Sequence, residues 1–121
     1  MAGTVAITYS ETRSPVRSVT WTWTSDASGD VNGTDTKALS GKVLRWVTNP
    51  GATAPTTLYD VAVNDVDGVD LAAGVLANRS ATVTESAYPA AGTSHAFNGA
   101  LSLVVSAAGN AKDGTLTMYY E

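Results

Sequence analysis

The sequence predicts an all-β fold: a single-domain antiparallel β-sandwich or barrel with little or no helix. Three observations predict it. Apolar and polar residues alternate with period two through many short runs rich in β-branched and aromatic residues. Clusters of Gly, Pro, Asn and Asp punctuate those runs at regular spacing. Apolar residues at helical spacing are scarce, and at most one turn is expected near 71–76. A chain of 121 residues makes one domain, large enough to bury about two-thirds of the surface its unfolded form exposes.

The first run, 4–12, opens a segment (1–17) that reads either as an ordinary first strand or as an extended arm reaching a neighbouring subunit. The clearest strand is 16–25. Within it Val19, Trp21 and Trp23 share one face, and Ser18, Thr20, Thr22 and Thr24 share the other. Tryptophans in this setting form a core layer, because each buries a large area. A subunit interface and a stacking platform for sugar rings are the alternatives. The polar turn Ser25-Asp26-Ala27-Ser28-Gly29-Asp30 leads to a strand at 31–38.

The run at 42–48 is apolar on both faces, with Leu44 and Trp46 alternating against Val43, Arg45 and Val47. One side is expected under a second sheet and the other under a partner subunit or loop. The loop 49–55 carries Pro50 and Pro55, neither of which suits a central strand. Strands are expected at 57–64, 69–73 and 80–85, then a longer Ala/Gly/Pro-rich loop over 88–99. The runs 100–107 and 114–120 are expected to pair as a terminal hairpin across Gly109–Gly114. Tyr119 and Tyr120 point to opposite faces of the last strand. Leu44, Trp46, Arg13, Arg17 and Tyr119 are the interface candidates.

The charged share is 15 %, well below the ~25 % of ordinary domains. Net charge is -4 and the pI is about 4.7. The seven basic residues are scattered along the chain, so no nucleic-acid partner is expected. The chain has no cysteine, which excludes disulfides and thiolate chemistry. No apolar run approaches the ~20 residues of a membrane span. Met1–Arg13 lacks the charged and apolar regions of a signal peptide, so synthesis in a cytoplasm is expected.

The stretch most like a site is Val63–Gly74, VNDVDGVDLAAG, where Asp65, Asp67 and Asp70 surround Gly68. Calcium loops place carboxylates at alternating positions around such a glycine, because the ion takes 6–8 oxygens. This stretch lacks the further acidic ligands of an EF-hand and lies between strand-like runs. A two-residue Asp67-Gly68 turn would set Asp65 directly opposite Asp70, an unfavourable like-charge pair. A type I turn on Asp65–Gly68, with Gly68 left-handed as a bulge, avoids it. That register sets Asn64 opposite Asp70, Val63 opposite Leu71 and Val61 opposite Ala73. The stretch is therefore expected to be a hairpin turn, with Asp65, Asp67 and Asp70 kept as a weak calcium candidate.

Catalytic groups are sparse. His95 is the single histidine, and the adjacent Ser94 does not make a dyad, since geometry in space decides that. The glycine-bearing loops lead into strands, whereas phosphate cradles lead into helices. The expectation is a non-enzyme without a cofactor.

Four pieces together resemble a group of small virion-associated proteins of tailed bacteriophages. They are the Trp-bearing strand with its TSDASG turn (Trp21, Trp23), the Tyr59–Asp70 hairpin, Ala77-Asn78-Arg79, and the closing Ala108–Thr115 segment. The resemblance covers most of the chain. It implies a structural part of a phage particle, commonly a head decoration or cement protein. Such a protein is made in the host cytoplasm, located on the virion surface, bound to the major capsid protein and expected to be homo-oligomeric, here as a trimer. A host-glycan binding module and a head–tail or tail component are the alternatives.

Overall fold

A computed structural model of the chain describes residues 3–10, 15–89 and 95–121. Nine strands run in chain order: β1 (Thr4–Ser10), β2 (Arg17–Thr24), β3 (Val31–Asp35), β4 (Leu39–Pro50), β5 (Asp60–Asn64), β6 (Glu85–Ala87), β7 (Ala96–Gly99), β8 (Ser102–Ser106) and β9 (Asp113–Tyr120). They build two antiparallel sheets and no helix among the described residues. The larger sheet has the order β1-β2-β9-β4-β6, with β7 paired to the start of β4; the smaller is β3-β8-β5. The all-β antiparallel sandwich is thus the observed fold, and Thr4–Ser10 is a strand of the larger sheet.

Strict alternation makes the core. On β2, Val19, Trp21 and Trp23 are buried while Thr22 and Thr24 are exposed. On β9, Leu116, Met118 and Tyr120 are buried beside them. The smaller sheet supplies Val31, Val61, Val63, Leu103 and Val105 to the same cluster. Side chains of a strand alternate between faces, so filling one face with tryptophan leaves the other face to hydroxyls. Among those, Thr20 and Thr117 hydrogen-bond across the strands at 3.0 Å.

Strand β4 departs from the alternation the sequence suggests. Its pairing with β9 slips between Val43 and Arg45, leaving Leu44 as the extra residue of a bulge. The slip changes the parity beyond it. Val43, Trp46 and Thr48 consequently face the core, while Leu44, Arg45 and Val47 are half-buried.

The runs expected as a terminal hairpin do not pair. β8 lies between β3 and β5, and β9 lies between β2 and β4 in the other sheet. Each brings an apolar face to the sandwich, and a central place in separate sheets buries both. Residues 107–112 cross between the sheets and bond to the 25–30 turn. Ser25 N–H donates to Lys112 O at 2.7 Å, Ala108 N–H to Gly29 O at 3.0 Å and Ala111 N–H to Asp26 O at 3.2 Å. The buried Ser25 hydroxyl donates to Gly109 O at 2.6 Å and accepts the Lys112 N–H at 2.9 Å. The two loops meet at Gly29, where a Cβ would fall 2.6 Å from Gly109 N. Glycine at φ +85° is what that approach requires.

Three further expectations shift. Residues 69–73 make one bridge, Asn64 to Asp70, and then turn. Residues 80–84 form a turn in which the Ser80 hydroxyl accepts the Thr82 and Val83 N–H groups, so the strand starts at Glu85. Within the expected 88–99 loop, residues 96–99 are β7, paired to Leu39–Lys42.

Two tests follow from the clasp between the loops. Ser25→Ala leaves the Lys112 N–H and the Gly109 carbonyl without their buried partner, and is expected to lower the unfolding free energy by about 1–3 kcal/mol in urea titrations. The Asp26 carboxylate, which accepts the Asp30 and Ser28 N–H groups, is held below its ordinary range, foremost by the Asp30 N–H. A carboxyl depressed in the folded state adds stability above its unfolded-state value, and that stability is lost as pH falls through the folded one. Asp26→Asn is therefore expected to flatten this part of the acid limb in urea midpoints measured from neutral pH downward.

Candidate functional site

The acidic hairpin forms as its residue types dictate. Gly68 N–H donates to Asp65 O at 3.0 Å, and Asp65 N–H donates to Val69 O at 2.9 Å. Gly68 sits at φ +78°, the left-handed residue that closes a type I turn with a bulge. Asn64 faces Asp70 as expected, and Leu71 N–H donates to Val63 O at 2.6 Å. The expected partnership of Val61 with Ala73 does not form. Successive turns through Asp70–Ala77 bring Leu76 back instead, and its carbonyl accepts the Val61 N–H at 3.1 Å.

The carboxylates are engaged by backbone. Asp70 Oδ1 accepts the N–H groups of Val63 at 3.1 Å and Ala72 at 3.0 Å, and its Oδ2 accepts that of Gly74 at 3.0 Å. Asp65 Oδ1 accepts those of Asp67 at 2.9 Å and Val69 at 3.1 Å. Asp67 is exposed at the tip. N–H groups thus hold Asp65 Oδ1 and both Asp70 oxygens, and among the described residues no group of three or more His, Asp or Glu is arranged to hold a metal. Of the weak calcium candidate Asp65, Asp67 and Asp70, Asp65 shapes the turn and Asp70 caps the turns that follow it.

The fold places His95 beside this hairpin, a proximity that their separation in the sequence hides. Asp65, Val69, Asp70, Leu71, Ala73, His95 and Ala96 line an open depression of about 240 Å³. His95 is half-buried, its Nδ1 has no hydrogen-bond partner, and its carbonyl accepts the Val43 N–H at 3.1 Å. The depression holds two carboxylates and an imidazole. The carboxylates are fixed by the turn they cap.

The interface candidates separate. Trp46 is fully buried in the core, so the surface role expected for it is corrected: the β4 bulge turns it inward. Leu44 is half-buried at that bulge. The Arg17 guanidinium lies 4.8 Å from the Tyr120 ring centroid, and that of Arg45 lies 4.7 Å from the Tyr119 ring. The Tyr88 and Tyr119 hydroxyls beside Arg45 push its already high pKa further up. Arg13 lies outside the described residues, as do residues 90–94 of the 88–99 loop. Trp21 and Trp23 are 0 % and 1 % exposed, which removes the aromatic face that a sugar platform needs.

Sequence reasoning missed one grouping. Arg17, Lys42 and Arg45, scattered in the chain, come to the end of the larger sheet where β2 starts and β9 finishes. Lys37 joins them, with Nζ 4.5 Å from the ring centroid of Tyr9 at the end of β1. Only strand order could have shown this.

No protein-family model matches the chain, and neither does any curated protein. Among solved structures, a cupin domain from Bordetella pertussis Tohama I aligns over 100 % of this chain and 97 % of its own, with 11 % identity and a TM-score of 0.37. An alignment that loose carries no argument, and the class, an antiparallel β-sandwich, rests on the strands described above.

Asp70→Ala deprives three backbone N–H groups of their acceptor and is expected to cost about 2–3 kcal/mol in urea unfolding. Melting curves of the wild-type protein in calcium and in EGTA are expected to superimpose; a calcium-dependent upward shift would restore the metal reading.

Proposed function

We propose that the chain is a non-catalytic structural protein of a tailed-bacteriophage virion, bound to the major capsid protein shell as a head decoration or cement protein. One observation carries the reading: the four segments of the resemblance meet in the fold as two interlocked pairs. The TSDASG turn is clasped to the Ala108–Thr115 segment through Ser25, Asp26 and Gly29. The Tyr59–Asp70 hairpin is tied to Ala77-Asn78-Arg79. There Arg79 N–H donates to Tyr59 O at 2.7 Å and Asn78 N–H donates to Asp60 Oδ1 at 2.9 Å.

The shared residues are thus scaffold, and their carboxylates and hydroxyls hold backbone. Such a scaffold presents surface instead of a cleft. The outer face of the larger sheet, with Thr22, Thr24 and Ser86 exposed, is broad and weakly charged. On a shell of repeated subunits, many copies make weak individual contacts count together.

Quantitative mass spectrometry of purified particles carrying this protein tests the reading. The expected result is a copy number comparable to that of the major capsid protein. A handful of copies would place it at a connector or tail, and absence from particles would overturn the virion reading.

A further inference from the structure

Among the described strands, the sheet edges at β3, β5 and β6 are protected. Natural sandwiches blunt their edges with short strands, bulges, charges or covering segments, since an open edge pairs with other chains. The β5 edge is covered by the 71–79 segment, which bonds to Tyr59, Val61 and Val63. β3 has five residues, is bulged between Asn32 and Thr34, and ends on Asp35. β6 has three residues.

β1 differs from all of these. It pairs through all seven residues with β2, and no other described strand lies on its far side. Its sequence, TVAITYS, has no charge, proline, glycine or bulge.

We propose that β1 pairs with β1 of a second copy of this chain, antiparallel about a two-fold axis at Ile7. This register is the one that uses all seven residues. It sets Ile7 opposite Ile7, Val5 opposite Tyr9, Ala6 opposite Thr8 and Thr4 opposite Ser10. Val5, Ile7 and Tyr9 are half-buried on the core side, whereas Thr4, Ala6, Thr8 and Ser10 are exposed on the outer side. Every pair therefore joins like with like, apolar to apolar and small or hydroxylic to its kind.

Charge complementarity selects the occupant. At the start of β1, Gly3 lies against the backbone of Asp30, where a Cβ would fall 2.9 Å from Asp30 O. At the end of β1, Lys37 lies over the Tyr9 ring, and its N–H donates to the Tyr9 hydroxyl at 2.9 Å. Antiparallel pairing brings the start of one β1 to the end of the other. Asp30 of each copy then approaches Lys37 of its mate, twice over. A two-fold contact of this kind closes at two copies, so the proposal favours a dimer over the trimer expected from the sequence. It stands independently of the virion reading.

Sedimentation equilibrium on four purified proteins tests it, with circular dichroism melts confirming that each is folded. The wild type is expected to be a dimer at micromolar concentrations. Ala6→Lys with Thr8→Lys sets lysine against lysine at both outer pairs and is expected to weaken association at least tenfold. Ala6→Glu with Thr8→Glu does the same with acidic groups. Mixing the two double variants is expected to restore a one-to-one heterodimer. Ser86→Lys, on the outer face at the opposite edge of the sheet, is expected to associate as the wild type does. A monomeric or trimeric wild type, double variants that remain dimeric, or folded variants that fail to pair on mixing would each overturn the proposal.

Discussion

The structure depends on filling the inner face of one sheet with tryptophan. Without cysteine, no disulfide ties the two sheets together, and packing and hydrogen bonds hold them. Trp21, Trp23 and Trp46 are all buried to within 1 %. At about 150–250 Å² each and ~25 cal/mol per Å², each contributes about 4–6 kcal/mol. All three indole N–H groups lack a hydrogen-bond partner, a cost of about 1–3 kcal/mol apiece. Burial therefore wins at each position, and the tryptophans define which face of β2, β4 and β9 is inside. Tyr59 joins the layer from the loop before β5, its ring 5.6 Å from that of Trp23, and burial raises its hydroxyl pKa.

Once that face is fixed, the loops must carry the chain between the two sheets, and the chemically suggestive residues are spent there. Ser25 and Asp26 hold the crossing after β2 against the crossing before β9. Asp70 and Asp60 hold the long return between β5 and β6. A carboxylate accepting backbone N–H groups in a turn does the work that a helix or sheet does elsewhere, which is to leave few buried polar groups unpaired. Acidic clusters of this composition mimic calcium loops because both require short carboxylates and a left-handed glycine. The difference lies in what the oxygens face.

Much of this was legible in the residues. The alternation in 18–24 gave β2 and its inner face, and the like-charge penalty between Asp65 and Asp70 was enough to choose the bulged turn. What was not legible was non-local. No local signal tells that Leu101–Val105 and Thr115–Tyr120 belong to different sheets, because both runs have the same alternation and the intervening loop has ordinary turn residues. The β4 bulge was equally hidden: one extra residue at Leu44 parts Trp46 from Leu44 and turns it inward with Val43, and from Val43 to Val47 the sequence is apolar at every position but Arg45. The meeting of His95 with the acidic hairpin and the gathering of Arg17, Lys42 and Arg45 at one end both depend on strand order, which periodicity does not encode.

Amide hydrogen exchange in calcium-free buffer, read at single residues by NMR, addresses most directly whether the acidic hairpin is architecture or a site. If its carboxylates hold the turn, the amides of Val63, Val69 and Ala72 are protected in the absence of any cation, by at least about tenfold over an unstructured chain. If those amides exchange freely until calcium is added, the carboxylates serve an ion, and the architectural assignment of this loop is wrong.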